Sequence, residues 1–579
     1  MASPSESTAV SGLPTTDANA TSTNYASPES ILSMASMLLM EARLVFTALA
    51  VIYLGAHGAL RRPPSASPPK GKDGKPGKRE KNDTFSDGFV ASDAILFPVM
   101  AGFVLVGLYY LLKWLQDPTI LNKILRTYVS AMGIASMGKL VADALQILTS
   151  FVFPKVWRDR NGHLFRVDQR RRAHVKLKSP KTEEIDHRMT TPLPGQASRW
   201  SLSSRTNSYL WEIRHLLLGE WTLRVAVHGI GKGTFKIKLA NIVGALAGSL
   251  IAYIYHITNS SLLANIVALG TCYGAFMIMS CTSFSVGSLV LLGLFVYDIV
   301  MVFFTPFMIT VATKIDAPIK LVFEGESRAS LLGLGDIVIP GIFICLALRF
   351  DLYRQYQKRI KYVPTELETV TQSDSSENTV TATQTEYRAV KAPFYDPQGV
   401  WGEWWWTRRT ASSKIQRGIP RIDRSKFSKP YFYATLAGYT LGLITTLAVL
   451  LTFNHGQPAL LYLVPGVVGA AWLTGLLRGE LHEMWTYTED GSLDTRDVVV
   501  ELDGNGKVVK EIKEKSGSDE EKKAEDSHNE GDGAEDSKTK VSKDDNNESG
   551  SEAASDEGHD VFLISLKAPG LADDDYDED

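Results

Sequence analysis

Apolar stretches of about twenty residues alternate along this chain with loops rich in Lys, Arg, Pro and Ser. A hydrocarbon layer about 30 Å thick is crossed by roughly 20 helical residues rising 1.5 Å each, so these stretches read as membrane spans. They fall at about 34–60, 94–115, 124–150, 239–257, 263–281, 286–308, 331–349, 432–453 and 458–477. Nine such spans imply an all-α polytopic membrane protein. The third is the least regular, because Lys123, Arg126, Lys139 and Asp143 interrupt it, and its loss would reverse every later span.

The polar segments set the orientation. Short basic loops stay cytosolic, and Lys and Arg crowd the connections after the first span (Arg61, Arg62, Lys70, Lys72), the third (Arg158, Arg160, Arg166, Arg170) and the seventh (Arg349, Arg354, Lys358). The connections QDPTI at 116–120, ITNSS at 257–261 and FNHGQ at 453–457 carry no Lys or Arg. The N-terminus is therefore expected in the lumen and the C-terminus in the cytosol. Residues 1–33 lack the basic and short apolar regions of a cleavable signal and read as a lumenal segment before a retained anchor. Asn19 opens a sequon, Asn19-Ala20-Thr21, that this orientation exposes to glycosylation, while Asn82-Asp83-Thr84 stays cytosolic.

The transmembrane part divides into 34–350, with a basic cytosolic insertion at about 155–235, and 431–485, with a second cytosolic insertion at 351–430 between them. From 486 to 579 the chain is acidic and polar and reads as a disordered cytosolic tail. A net charge of −3 therefore averages unlike parts, and no nucleic-acid partner is implied. The cysteines Cys272, Cys281 and Cys345 lie in or beside apolar spans and read as small apolar residues.

Two positions break the apolar pattern. LFVYDIVMVFF at 294–304 holds Asp298, and LLGLGDIVIPG at 331–341 holds Asp336 just after Gly333 and Gly335. An ionised Asp at the centre of a membrane helix costs about 2.5–3.5 kcal/mol on insertion scales, so its presence needs a reason. A lone Asp could cap or hydrogen-bond a neighbouring helix. Two on consecutive antiparallel spans favour a shared site. Pro306 should end the sixth span about two turns beyond Asp298. Asp336 falls about one and a half turns inside the seventh span, at similar depth.

Two carboxylates at short range cannot both stay ionised, so they share a proton. One then takes a proton from an attacking water while the other protonates the amide carbonyl oxygen. This chemistry needs no metal or cofactor, and His256 and His455 lie near span ends without a ligand cluster. The alternative is a multi-pass transporter or channel using the Asp pair as a proton or cation site. No second copy of YD or GLGD supplies the internal repeat such proteins often show. A non-catalytic membrane chaperone is a third reading.

HGQPALLYLVPG at 455–466 opens the last span with Pro458 in its first turn. YD, GLGD and QPALLY in this order resemble the intramembrane aspartyl proteases of the presenilin and signal peptide peptidase type, over roughly residues 34–485 apart from the two insertions. PFMITVATKIDAPIKLVFE at 306–324 and LGLGDIVIPGIFICLALRFD at 332–351 look like the signal peptide peptidase branch.

The resemblance implies a presenilin-like fold with Asp298 and Asp336 as the catalytic pair. Tyr297, Gly333, Leu334 and Gly335 would shape their surroundings, and Gln457, Pro458, Ala459 and Leu460 would position substrate. It implies a cofactor-free endopeptidase of the endoplasmic reticulum membrane that cuts within transmembrane helices, such as signal peptide remnants and type II membrane proteins. The partners implied are membrane-spanning peptides and the lipid bilayer; self-association and quality-control partners stay open. The acidic tail departs from a dilysine retrieval signal. WGEWWW at 401–406 reads as an interfacial anchor. Because a helix hides its amides in internal hydrogen bonds, the substrate should become extended beside Asp336. It would make backbone contacts there with an exposed strand or irregular segment, from the loop at 313–328 or from the start of the last span.

Overall fold

The computed structural model describes residues 28–68, 87–115, 118–179, 182–186, 189–227, 231–315, 317–325, 329–371, 380–408, 426–453, 457–493, 499–502, 508–512 and 562–567. Asn19 and Asn82 lie outside the described residues. The helices are α1 (Pro28–Gly58), α2 (Asp93–Leu115), α3 (Thr119–Val152), α4 (Ser204–Leu218), α5 (Leu239–Thr258), α6 (Ser261–Ile278) and α7 (Phe284–Phe303). They continue with α8 (Phe307–Lys314), α9 (Leu334–Gln357), α10 (Trp401–Trp406), α11 (Pro430–Phe453), α12 (Leu460–Arg478) and α13 (Leu481–Thr486).

Among the described residues, eight helices are long and apolar enough to cross a membrane: α1, α2, α3, α5, α6, α7, α11 and α12. The other expected span, α9, falls short because Asp336, Arg349 and Asp351 sit along it. Yet α9 is central. Most of its side chains from Ile337 to Leu352 are buried, and α1, α6, α7, α11 and α12 pack around it. A helix shielded by protein can carry charges that a lipid-facing helix cannot, provided they find partners. Of the nine spans expected, eight thus coincide with helices of membrane-crossing length and composition among the described residues, and the other falls on the partly polar α9. By contrast only 6% of the apolar stretch of α2 is buried, which puts that helix at the rim.

Small residues set the closest helix pairs. A Cβ on Gly244 of α5 would collide with the Gly138 carbonyl of α3, and one on Gly442 of α11 would lie 2.7 Å from the Tyr462 carbonyl oxygen of α12. Three of the four polar residues that made α3 look irregular have partners. Lys139 pairs with Asp143 at 2.7 Å, Asp143 also accepts from the Tyr273 hydroxyl, and Arg126 bonds Asn259.

The strands show that all-α describes the bundle alone. They are β1 (Asp87–Phe89), β2 (Val156–Arg158), β3 (Leu164–Asp168), β4 (Ala173–Ser179), β5 (Thr182–Asp186), β6 (Glu220–Val227), β7 (Gly231–Lys238) and β8 (Met279–Cys281). After them come β9 (Lys320–Glu324), β10 (Ala329–Gly333), β11 (Lys361–Thr371), β12 (Val380–Val390), β13 (Val499–Leu502), β14 (Val508–Ile512) and β15 (Phe562–Lys567). In the first insertion β2 to β5 form a sheet in chain order, with a small core of Trp157, Phe165, Val167, Met189 and Trp211.

His174 is buried in this insertion. Its Nδ1 accepts from the Trp157 indole N–H at 3.1 Å and its Nε2 donates to the Thr191 carbonyl at 2.7 Å, an arrangement that needs a neutral ring. Burial correspondingly pushes its pKa down. The second insertion completes the same core with Trp406. WGEWWW, expected as an interfacial anchor, forms a bracket: the Gly402 N–H donates to Ser150 Oγ at 3.0 Å and the Trp406 indole to the Phe151 carbonyl at 2.8 Å, while Trp405 stays exposed.

The expected disordered tail is corrected where it is described. Tyr487 is fully buried, β13 pairs with β12 and β14, and β15 pairs with β6. Glu489 explains the docking. Its carboxylate accepts from Arg61 at 2.6 Å, from Arg349 at 2.7 Å and from the Tyr487 hydroxyl at 2.8 Å. Burial opposes ionisation of Glu489, but Arg349, Arg61 and these hydrogen bonds outweigh it and hold the carboxyl below the usual glutamate range. All three cysteines are free and buried.

Candidate active site

Asp298 lies on α7, whose apolar run ends at Phe303, with Pro306 as the N-cap of α8. Its side chain is buried. Oδ2 accepts a hydrogen bond of 3.0 Å from the backbone N–H of Leu460. That partner is available because Leu460 is the first residue of α12, where backbone donors lack acceptors one turn earlier and the helix dipole favours negative charge. Ala459 is the N-cap, and the Pro458 and Ala459 carbonyls accept from Leu461 at 3.3 Å and Tyr462 at 3.2 Å. The expected helix start at Pro458 is therefore two residues early. Pro458 is buried and Gln457 half-buried in the preceding turn.

Asp336 lies in the first turn of α9, not one and a half turns in. The preceding residues, read as helix from 331, form β10 instead, paired antiparallel with β9 from Ala329 opposite Glu324 to Gly333 opposite Lys320. The Leu334 N–H then donates to the Ile319 carbonyl at 3.0 Å, which ties the hairpin to the helix start. Leu334 itself packs half-buried on the main core. A Cβ on Gly333 would stand 3.2 Å from Asp336 Oδ2, so a larger residue would press on the carboxyl. Gly335 is different. Nothing lies within 4 Å of where its Cβ would be, so its backbone is open to an approaching chain.

The helix that carries Asp298, α7, packs against α9, and no described residue hydrogen-bonds the Asp336 carboxyl. Tyr297 is half-buried and packs on the main core, and its ring also comes within 3.8 Å of where a Cβ on Gly102 of α2 would stand. Of the residues singled out from the sequence, the structure thus draws Asp298, Asp336 and the segment 458–460 together, with Gly333, Leu334 and Gly335 at the margin and Tyr297 packed on the core beside α2.

Three polar residues escaped the sequence reading. Asn265 of α6 donates from Nδ2 to the Val322 carbonyl at 2.7 Å and accepts from the Val322 N–H at 2.8 Å, closing the outer edge of β9 as a further strand would. Glu41 of α1, buried, accepts from the Ser330 hydroxyl of β10 at 2.8 Å. Tyr439 of α11, fully buried, directs its hydroxyl at the Asp336 carbonyl at 3.4 Å. Glu41 alone had a signal, a carboxylate inside an apolar run.

The signal peptide peptidase family profile matches residues 79–491. The human signal peptide peptidase (Homo sapiens) is 25% identical over 514 residues, covering 87% of this chain and 95% of that protein. The Mus musculus signal peptide peptidase is 25% identical over 503 residues, with 85% and 92% covered. Intramembrane protease 2 of Caenorhabditis elegans is 36% identical over 234 residues, 39% of this chain and 38% of that protein's length. No solved structure matches.

Proposed function

The chain belongs to the signal peptide peptidase family of membrane proteases, and on that premise we propose that it is an aspartyl endopeptidase working through Asp298 and Asp336. The observation that carries the reading is the meeting of three separate segments: Asp298 on α7 bonds the α12 start at Leu460, and α7 and α12 both pack against α9, whose first turn holds Asp336. With one proton shared, one carboxylate draws a proton from water as the water attacks the amide carbon. The other protonates the carbonyl oxygen, and proton return to the nitrogen releases the new amine. Atoms balance as one water added per bond cut. The transporter alternative finds no support among the relatives.

The β9–β10 hairpin supports a way to present the substrate. Asn265 occupies the outer edge of β9, and among the described residues no strand pairs with the far edge of β10. A substrate unwound into a strand regains its backbone hydrogen bonds there, with its next residues beside Gly335 and Asp336. The substrates on this reading are signal peptide remnants and type II membrane segments. α9 completes nine crossings, the N-terminus is lumenal, and the membrane is that of the endoplasmic reticulum. Purified protein incubated with an end-labelled signal-peptide-like helix should yield shorter peptides cut inside the apolar stretch; an intact peptide after exhaustive incubation contradicts the reading.

A further inference from the structure

The first insertion carries an apolar face that its own core does not use. Along α4, Trp211 and Arg214 are buried against the sheet, whereas Tyr209 is 69% exposed, Ile213 49% and Leu216 44%. Spaced four and three residues apart, these three lie on one side of the helix, opposite the buried pair. Arg205 extends the same side, and the segment leading into α4 adds exposed Arg199, Trp200 and Leu202. Aromatic, aliphatic and basic side chains on one face are the composition of a helix lying in a headgroup layer.

The neighbouring elements say what covers this face. β6 and β7 follow α4 as a hairpin in which Glu220 pairs with Lys238, and the two side chains form an ion pair at 3.4 Å. That register returns the chain to its starting point, so the end of α4 at Leu218 packs beside the start of α5 at Leu239. α5 is one of the membrane-crossing helices, and its exposed Ile242, Val243, Leu246 and Leu250 face lipid. The apolar face of α4 therefore begins at the level where α5 enters the bilayer.

We propose that α4 is an interfacial helix, bound through Tyr209, Ile213 and Leu216 in the phospholipid headgroup layer at the α5 entry. It holds the first insertion, and the Trp406 bracket of the second, against the membrane surface. This rests on the membrane spans alone and is independent of the protease chemistry and of which terminus is lumenal.

The native cysteines are all buried, so single cysteines at Tyr209, Ile213 and Leu216 can be spin-labelled in the full chain in phospholipid nanodiscs. Leu246→Cys on α5 gives the lipid standard and Arg160→Cys, exposed on the insertion, the water standard. Collision with oxygen should exceed collision with a water-soluble nickel complex several-fold at all three α4 positions relative to Arg160, approaching Leu246. A water-like ratio at those positions overturns the proposal. So does shielding from both reagents, which would mean a protein segment covers the face, and so does dipolar broadening between labels, which would mean a second copy does.

Discussion

The carboxylate of Asp298 accepts a hydrogen bond of 3.0 Å from the backbone N–H of Leu460, the opening residue of α12. Another carboxylate in the bundle does similar work: Asp351 accepts from Tyr431 at 3.3 Å and Phe432 at 3.0 Å at the start of α11. The two differ in what they leave over. Asp351 spends both oxygens on the helix start, whereas Asp298 spends Oδ2 alone, with no described residue bonded to Oδ1. Capping helps Asp298 to be tolerated among apolar residues, and on the proposed reading the second oxygen is the one left for chemistry.

The segment before α12 should be sensitive without being a hinge of stability. Pro458→Leu restores a backbone N–H at a buried position and frees a fixed φ, so the Leu460 donor loses its aim at Asp298. Cleavage should fall by at least about tenfold, some 1.4 kcal/mol of barrier, with insertion and helix content unchanged. Normal turnover would remove this segment from the site.

The hairpin edge offers a second test. Asn265→Leu leaves the N–H and C=O of Val322 unpaired beside the bundle, a loss of about 1–3 kcal/mol per group. Substrate cleavage should drop sharply while Asn265→Asp, which keeps the acceptor, falls between. Equal activity in all three forms, measured as initial rates, would disconnect β9 from substrate presentation.

Glu489 should matter for stability rather than chemistry. Glu489→Ala leaves Arg349, 4% exposed, with its buried charge uncompensated, and breaking such a pair costs about 3–5 kcal/mol. Thermal inactivation should come earlier. Because the Glu489 carboxyl titrates below its ordinary value, the stability it supplies is complete above the usual glutamate pKa of about 4.3. It fades as pH falls through the lowered value. Identical acid inactivation of the wild-type chain and of Glu489→Gln would contradict this.

Orientation is checked by glycan mapping. With the N-terminus lumenal, Asn19 should carry glycan and Asn82 none; modification of Asn82 but not Asn19 would invert the topology.

Much of the bundle was legible because bilayer thickness imposes length and low charge on each helix, and Pro306 announced the end of α7 through its missing donor. What the pattern hid depends on partners distant in the chain. ASLLG at 329–333 looks like the start of a helix and becomes a strand only opposite KLVFE at 320–324. Asn265 and Tyr439 are ordinary polar residues of apolar helices until Val322 and Asp336 come beside them. Glu489 is one acid among many after residue 486 and is distinguished only by the guanidinium groups that receive it. The Asp pair stood out from sequence because each carboxylate interrupts an apolar span, whereas QPALLY reads alone as an ordinary helix start and stood out only beside YD and GLGD.

The most direct measurement is the internal cleavage rate of Asp298→Asn, Asp336→Asn and the double variant in bilayers. An Asn side chain still offers an oxygen to the Leu460 N–H, so the α12 cap survives while the acid-base function is lost. Each single change should abolish cleavage, and the double change should be scarcely worse, because the pair acts as a unit. Sustained cleavage by Asp298→Asn would show that this carboxylate merely caps a helix and would contradict the aspartyl protease account.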